Sequence, residues 1–140
     1  MKPPDAVLRD HIRQWISKAD VDYRTAEWLL KAPDPIRESI AFHCQQAVEK
    51  YLKALLVSLR VEFPKTHDLE ELLDLLTPVL PDVATELDGV KILSPFGVKI
   101  RYPGDFPELL PGQERTVFEL AKRTREVIML RLNRHLAGST

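Results

Sequence analysis

The stretch HCQQAVEKYLKALL, residues 43–56, constrains the fold more than any other part of the chain. Around it Ile40, Cys44, Ala47, Val48, Tyr51, Leu52, Leu55 and Leu59 recur at helical spacing. At about 100° per residue these positions fill a wide continuous arc, so a helix here must be covered on most of its sides. His43, Gln46, Lys50 and Lys53 fall together in roughly 80° outside that arc. The pattern predicts a central helix with one polar edge.

The flanking segments supply the cover. Leu8, Ile12, Trp15, Ala19, Tyr23, Ala26 and Leu30 predict a long first helix that stops before Ala32-Pro33-Asp34-Pro35. The central helix should start near Pro35, a favoured first-turn residue, and end by Phe63-Pro64. Asp68 reads as an N-cap, with Glu71 completing a capping box, for a short third helix from Leu69 to about Leu76. Pro81 to about Leu93 predicts a further helix, broken by Gly89. Residues 94–112, SPFGVKIRYPGDFPELLPG, hold four of the eleven prolines and three of the five glycines, and read as a long loop. Such a loop inside a compact domain is usually functional. The last helix should begin near Gln113 and carry Val117, Leu120, Ala121, Val127, Ile128 and Leu132. Arg123, Arg125, Arg131 and Arg134 crowd its second half, where cations suit the helix dipole.

No segment alternates as a half-buried strand does. The expectation is an all-α fold: an antiparallel up-and-down bundle of four to five helices, forming a single domain over residues 1–140.

Charge and motifs narrow the function classes. With 20 basic and 21 acidic residues the net charge is −1, which argues against coating nucleic acid by charge alone and leaves room for a local basic groove. The lone cysteine, Cys44, permits no intramolecular disulfide and no cysteine cage, and suits a reducing compartment. The start MKPPDAVLRDH lacks the apolar core of a signal peptide, and no apolar run would span a bilayer, so the expected location is cytoplasmic with no membrane partner. Dinucleotide-binding, P-loop, zincin and serine-hydrolase signatures are absent. His11, His43, His67 and His135 are scattered, with no pair one helical turn apart, so neither a metal nor a cofactor is implied.

The candidate ligand-binding residues are His43, Gln46, Lys50, Lys53, His67, Arg101 and Tyr102. The four on the central helix suit either a solvated edge with snorkelling lysines or a groove edge whose lysines meet successive phosphates. His67 beside the Asp68 cap is either a locally bonded capping-region residue or a titratable site group. Arg101-Tyr102-Pro103 lies in the long loop, where Arg101 would make a phosphate clamp, and Tyr102 would stack on a ligand or pack on the bundle.

Three segments in order, QQAVEKYLKALL, FPKTHDLEELL and IRYPGDF, resemble the HEPN family of small all-helical bacterial and archaeal proteins. Trp15, Ala19, Asp20 and Ala26 fit the leading helix of that pattern, so the resemblance spans about residues 10–132. It implies a five-helix bundle, commonly a homodimer. Family members have been linked to nucleotide binding. Many are ribonuclease toxins, and many pair with a minimal nucleotidyltransferase that acts as antitoxin. The ribonuclease members carry an Arg, then four to six intervening residues, then a His. Here Arg101 stands at the motif arginine's place, Tyr102 follows it, and no His comes before His135. Arg60–His67 and Arg37–His43 meet the spacing by number alone, outside the motif's place.

The resemblance therefore implies no catalytic residue, and the RYP form is typical of the branch lacking the motif. The first expectation is a nucleotide- or RNA-binding component of a toxin–antitoxin-type pair with a nucleotidyltransferase. The alternatives are an RNA endonuclease toxin that uses His67 or His43 with Arg101, and a purely structural assembly partner built on a strip of Trp15, Trp28 and Phe42.

Overall fold

The computed structural model describes residues 5–97, 103–104 and 108–137, and every regular element among them is helical. The helices are α1 (Asp5–Leu30), α2 (Arg37–Ser58), α3 (Leu69–Leu76), α4 (Pro81–Glu86), a 3₁₀ helix (Asp88–Gly97) and α5 (Gln113–Ala137). This is the all-helical bundle that the periodicity predicts.

Helix α2 is the centre of it. Fourteen of its 22 residues are buried, so it meets neighbours nearly all the way round. Helix α1 lies antiparallel to it. Asp5 pairs with Arg60 at one end, Asp20 accepts the Tyr51 hydroxyl in the middle, and Asp22 meets His43 towards the other end. Helix α5 runs antiparallel to α1, with Tyr23 stacked on Phe118 at 5.3 Å between ring centroids and Asp20 bound to Arg125. At its start, Arg37 of α2 is tied to Glu114 of α5. Ile12, Ile40, Leu52, Leu55, Leu69, Leu93 and Ile128 from these elements share one apolar cluster. Full burial of each such side chain contributes about 1.5–3 kcal/mol.

The ends of α2 are not where prolines alone would set them. Pro35 precedes the helix rather than opening it, and Ile36 caps the N-terminus with no side-chain hydrogen bond. The C-terminus closes at Ser58, well before Phe63-Pro64. Arg60 there takes a left-handed φ of 57°, with Arg60 N–H donating to Val57 O and Val61 N–H to Leu56 O. That double bond is a Schellman closure, and the position usually belongs to glycine.

The return from α2 to α5 passes through α3, α4 and the 3₁₀ helix. Asp68 caps α3 by accepting from Glu70 N–H. The expected capping box is altered. Glu71 accepts from the Thr66 hydroxyl, and Thr66 in turn accepts from Asp68 N–H, so the hydroxyl relays what the carboxylate would do directly. The expected helix from Pro81 breaks after Glu86 rather than at Gly89. Gly89 lies inside the 3₁₀ helix and faces Leu120 of α5. Residues 94–97, expected as loop, complete that 3₁₀ helix, and Ser94 Oγ accepts from Leu69 N–H to fasten it to α3. Pro95 lies inside this 3₁₀ helix and has no N–H to donate, so one backbone hydrogen bond is missing there.

Candidate functional site

The polar edge of α2 divides into two sets, each spaced seven residues. His43 and Lys50 turn towards α1, while Gln46 and Lys53 join a network towards α3.

In the first set, His43 Nδ1 lies 2.9 Å from Asp22 Oδ1, and Lys50 donates to Asp22 Oδ2. Burial alone would raise the Asp22 carboxyl. The hydrogen bonds from His43 and Lys50, with their charge, outweigh it and hold the group below its ordinary value of 3.8. Both bases are part-buried, so this edge is neither a plain solvated face nor an open row of free cations.

The second set is built on Glu49, which is only 2 % exposed. Its Oε1 accepts from Gln45 Nε2 at 3.1 Å and lies 2.9 Å from His67 Nδ1, and its Oε2 accepts from Lys53 Nζ at 2.9 Å. Lys53 is itself buried, with Nζ 5.3 Å from the Trp15 ring centroid and 5.9 Å from that of Phe63. Gln45 also donates to the His67 carbonyl and accepts from Gln46 Nε2. A buried carboxylate needs such donors, because an unpaired charge out of water is strongly disfavoured.

His67 sits at the mouth of this network. Its side chain is 73 % exposed although its Nδ1 is held by a buried group. The carboxylate can only accept, so the neutral ring places its proton on Nδ1 and its lone pair on Nε2.

The third strand of the arrangement is Gly97. A Cβ there would lie 2.6–2.8 Å from the Gln45 amide, so the backbone entering the long loop rests directly on the network. Arg101 and Tyr102 lie outside the described residues. Among the sequence-derived candidates, the network thus gathers Gln46, Lys53 and His67, while His43 and Lys50 engage Asp22.

Gln45, Glu49 and Asp22 were not among those candidates. Gln45, Glu49 and Lys53 do follow one another at four-residue steps, a spacing that stacks side chains on one helix face and that could have revealed them. Asp22 carries no such signal, since its partners lie on another helix.

Other chemistry finds less support. Cys44 is buried and its thiol is pushed up to about 12 by desolvation, so it offers no thiolate nucleophile. Among the described residues, no cluster of His, Cys, Asp and Glu side chains could hold a metal ion, and no helix is long and apolar enough to cross a membrane. Of Trp15, Trp28 and Phe42, Trp28 is exposed, while Trp15 and Phe42 are half-buried.

The HEPN domain family matches residues 12–135 of this chain, a span that begins within α1, includes both networks and ends within α5. The chain belongs to the HEPN family. No curated protein and no solved structure matches it. HEPN membership supports a function related to nucleotides or RNA at the level of the family, and HEPN domains are often dimeric. In this HEPN chain, Gln45 and Glu49 come from QQAVEK and His67 from KTHDL, so two of the three segments that carry the resemblance meet in one polar network.

Proposed function

We propose that this HEPN protein is a binding module, a homodimer that takes up the phosphate of a nucleotide or of RNA beside His67 and works with a minimal nucleotidyltransferase in a toxin–antitoxin-type pair. The observation that carries the reading is the meeting of Glu49, His67 and Gly97 at one network with a single exposed end. Binding energy there comes from His67, because Lys50 and Lys53 of the adjoining α2 edge are already engaged by Asp22 and Glu49. Arg101 follows Gly97 by four residues in sequence and is the assigned phosphate clamp, with Tyr102 beside it.

Calorimetric titration with AMP and with a short oligoribonucleotide tests this. The His67→Asn/Arg101→Ala double variant should lose binding by at least tenfold, in line with two charge-assisted contacts. Equal affinity in parent and variant would refute the site. Sedimentation at micromolar concentration checks the dimer, and co-purification with a co-expressed nucleotidyltransferase checks the partner.

A second reading, RNA endonuclease, is favoured by one feature: Glu49 orients His67 as an acid–base group, the arrangement from which general base catalysis typically draws 10²–10⁴-fold. Intact RNA after incubation with the purified protein would exclude it.

A further inference from the structure

We infer that phosphate binding at His67 is obligatorily coupled to uptake of a proton, with Glu49 as the positioning residue that enforces the coupling. The inference rests on the phosphate-binding reading above and adds its regulation.

An ionised carboxylate such as that of Glu49 accepts hydrogen bonds and donates none. Its carboxylate holds three donors, from Gln45, Lys53 and His67, in a site 2 % exposed. Lys53 already supplies one positive charge, so the cluster is neutral when His67 is neutral. In that state Nδ1–H must point at Glu49, and Nε2 presents a lone pair to solvent. A phosphate oxygen is also an acceptor. Lone pair against lone pair gives no hydrogen bond, so neutral His67 cannot hold the ligand. A histidine without such a lock would simply shift its proton to Nε2 and bind with no change of charge. Here that shift would break a hydrogen bond inside a buried site.

The remaining way is protonation at Nε2. The imidazolium then donates from both nitrogens, from Nδ1 to Glu49 and from Nε2 to the phosphate, and adds a charge-assisted bond. The other charged groups around the ring do not substitute for this. From α2 they are Glu49 and Lys53, and Lys53 is spent on Glu49 beneath Trp15 and Phe63. Within the ring's own segment they are Lys65, Asp68, which caps α3, and Glu71, which holds Thr66. The 3₁₀ helix contributes Ser94, bound to Leu69 N–H, and Lys91 paired with Asp88.

The ligand class is a phosphate, as the diester of RNA or the monoester of a nucleotide. The two sources separate in the experiment, since a monoester titrates on its own near neutral pH and a diester does not. Calorimetry with a short oligoribonucleotide at pH 7.5, in buffers of differing ionisation enthalpy, should show uptake approaching one proton. Affinity should fall as pH rises, as a proton-linked binding step requires. AMP, run in parallel, reports the monoester arm. His67→Asn, at an exposed position, should weaken binding and remove both the uptake and the pH slope. Glu49→Gln can turn its amide to donate to Nδ1, giving up the hydrogen bond from Gln45 Nε2, and this frees Nε2–H. It should keep binding and lose the proton uptake.

Where Glu49→Gln disturbs folding, the ¹⁵N shifts of the His67 ring in the parent protein decide. They should show Nδ1–H with bare Nε2 in the free state and two N–H groups in the complex. Binding without proton uptake, or an Nε2–H tautomer in the free protein, overturns the inference and leaves the binding module standing. Absence of binding by both ligands at every pH overturns the binding module itself, and the coupling with it.

Discussion

Gly97 presents bare backbone to Gln45: a Cβ at position 97 would stand 2.6 Å from both Cδ and Oε1 of the Gln45 side chain. The contact matters because Gln45 bridges the Glu49 carboxylate and the His67 carbonyl. It is the place where the chain leading to Arg101 is registered against α2.

Gly97→Ala should therefore act through Gln45. No rotamer of the alanine relieves the contact, because the clash is with Cβ itself, so the amide or the 3₁₀ helix must move. A loss of about 1–3 kcal/mol is expected, the usual cost of overpacking a buried site. Urea denaturation measures it, and phosphate affinity should fall in the same variant. An alanine variant as stable as the parent would mean that Gln45 has a second, equally good seat.

The difference between what the sequence tells and what it hides follows from the range of the interactions. The apolar arc of α2 and the span Leu69–Leu76 of α3 were legible because helical period and the Asp68 cap are local signals. So was the start of α5 at Gln113, after the Pro111-Gly112 pair. The 3₁₀ helix over Asp88–Gly97 was not, because Gly89, Pro95 and Gly97 each read as breakers, and its hydrogen bond to α3 comes from one side chain, Ser94. The site was half legible. His67 and Lys53 stood out by residue type, but their common partner Glu49 looked like one more surface charge until burial was known. The fate of His43 and Lys50 depended on Asp22, more than twenty residues away on α1.

Asp22 should make the fold sensitive to acid. Its folded-state carboxyl lies below the ordinary 3.8. A depressed carboxyl contributes stability that is present above the unfolded value and disappears as pH falls through the folded one. The parent should thus lose stability as pH drops below about 4, and Asp22→Asn should show a flatter profile in that window. At pH 7 the asparagine variant should be less stable by about 1.5–3 kcal/mol, the range for hydrogen bonds to a charged group. Denaturation curves from pH 7 to pH 3 give both numbers, and parallel curves would exclude Asp22 as the source.

Arg60→Gly should stabilise the protein. Arg60 occupies the left-handed C′ position of the Schellman closure at φ 57°, where glycine has no Cβ to strain. Its ion pair with Asp5 is worth little to lose, since the Asp5 side chain is 81 % exposed. Relief of about 1–2 kcal/mol of left-handed strain is partly offset by the larger unfolded-state entropy of glycine, so a net gain of at most about 1 kcal/mol is expected. A drop in the denaturation midpoint on substitution would show that the arginine side chain outweighs its backbone strain.

The Glu49–Lys53 pair should behave as one unit. Both side chains are nearly buried, at 3 % and 7 % exposure, so each carries the other's charge out of water. Lys53→Met keeps most of the apolar stem against Trp15 and Phe63 but leaves Glu49 with two donors and no built-in cation. Breaking such a pair costs about 3–5 kcal/mol. Glu49→Gln alone leaves a buried ammonium and should cost a similar amount. The double variant removes both charges while Gln45 and His67 can still hydrogen-bond position 49. It should be more stable than either single variant, with a coupling energy of at least about 2 kcal/mol in a double-mutant cycle. Additive losses would mean that Lys53 reaches water when Glu49 is neutral, and that His67 rather than Lys53 balances the carboxylate.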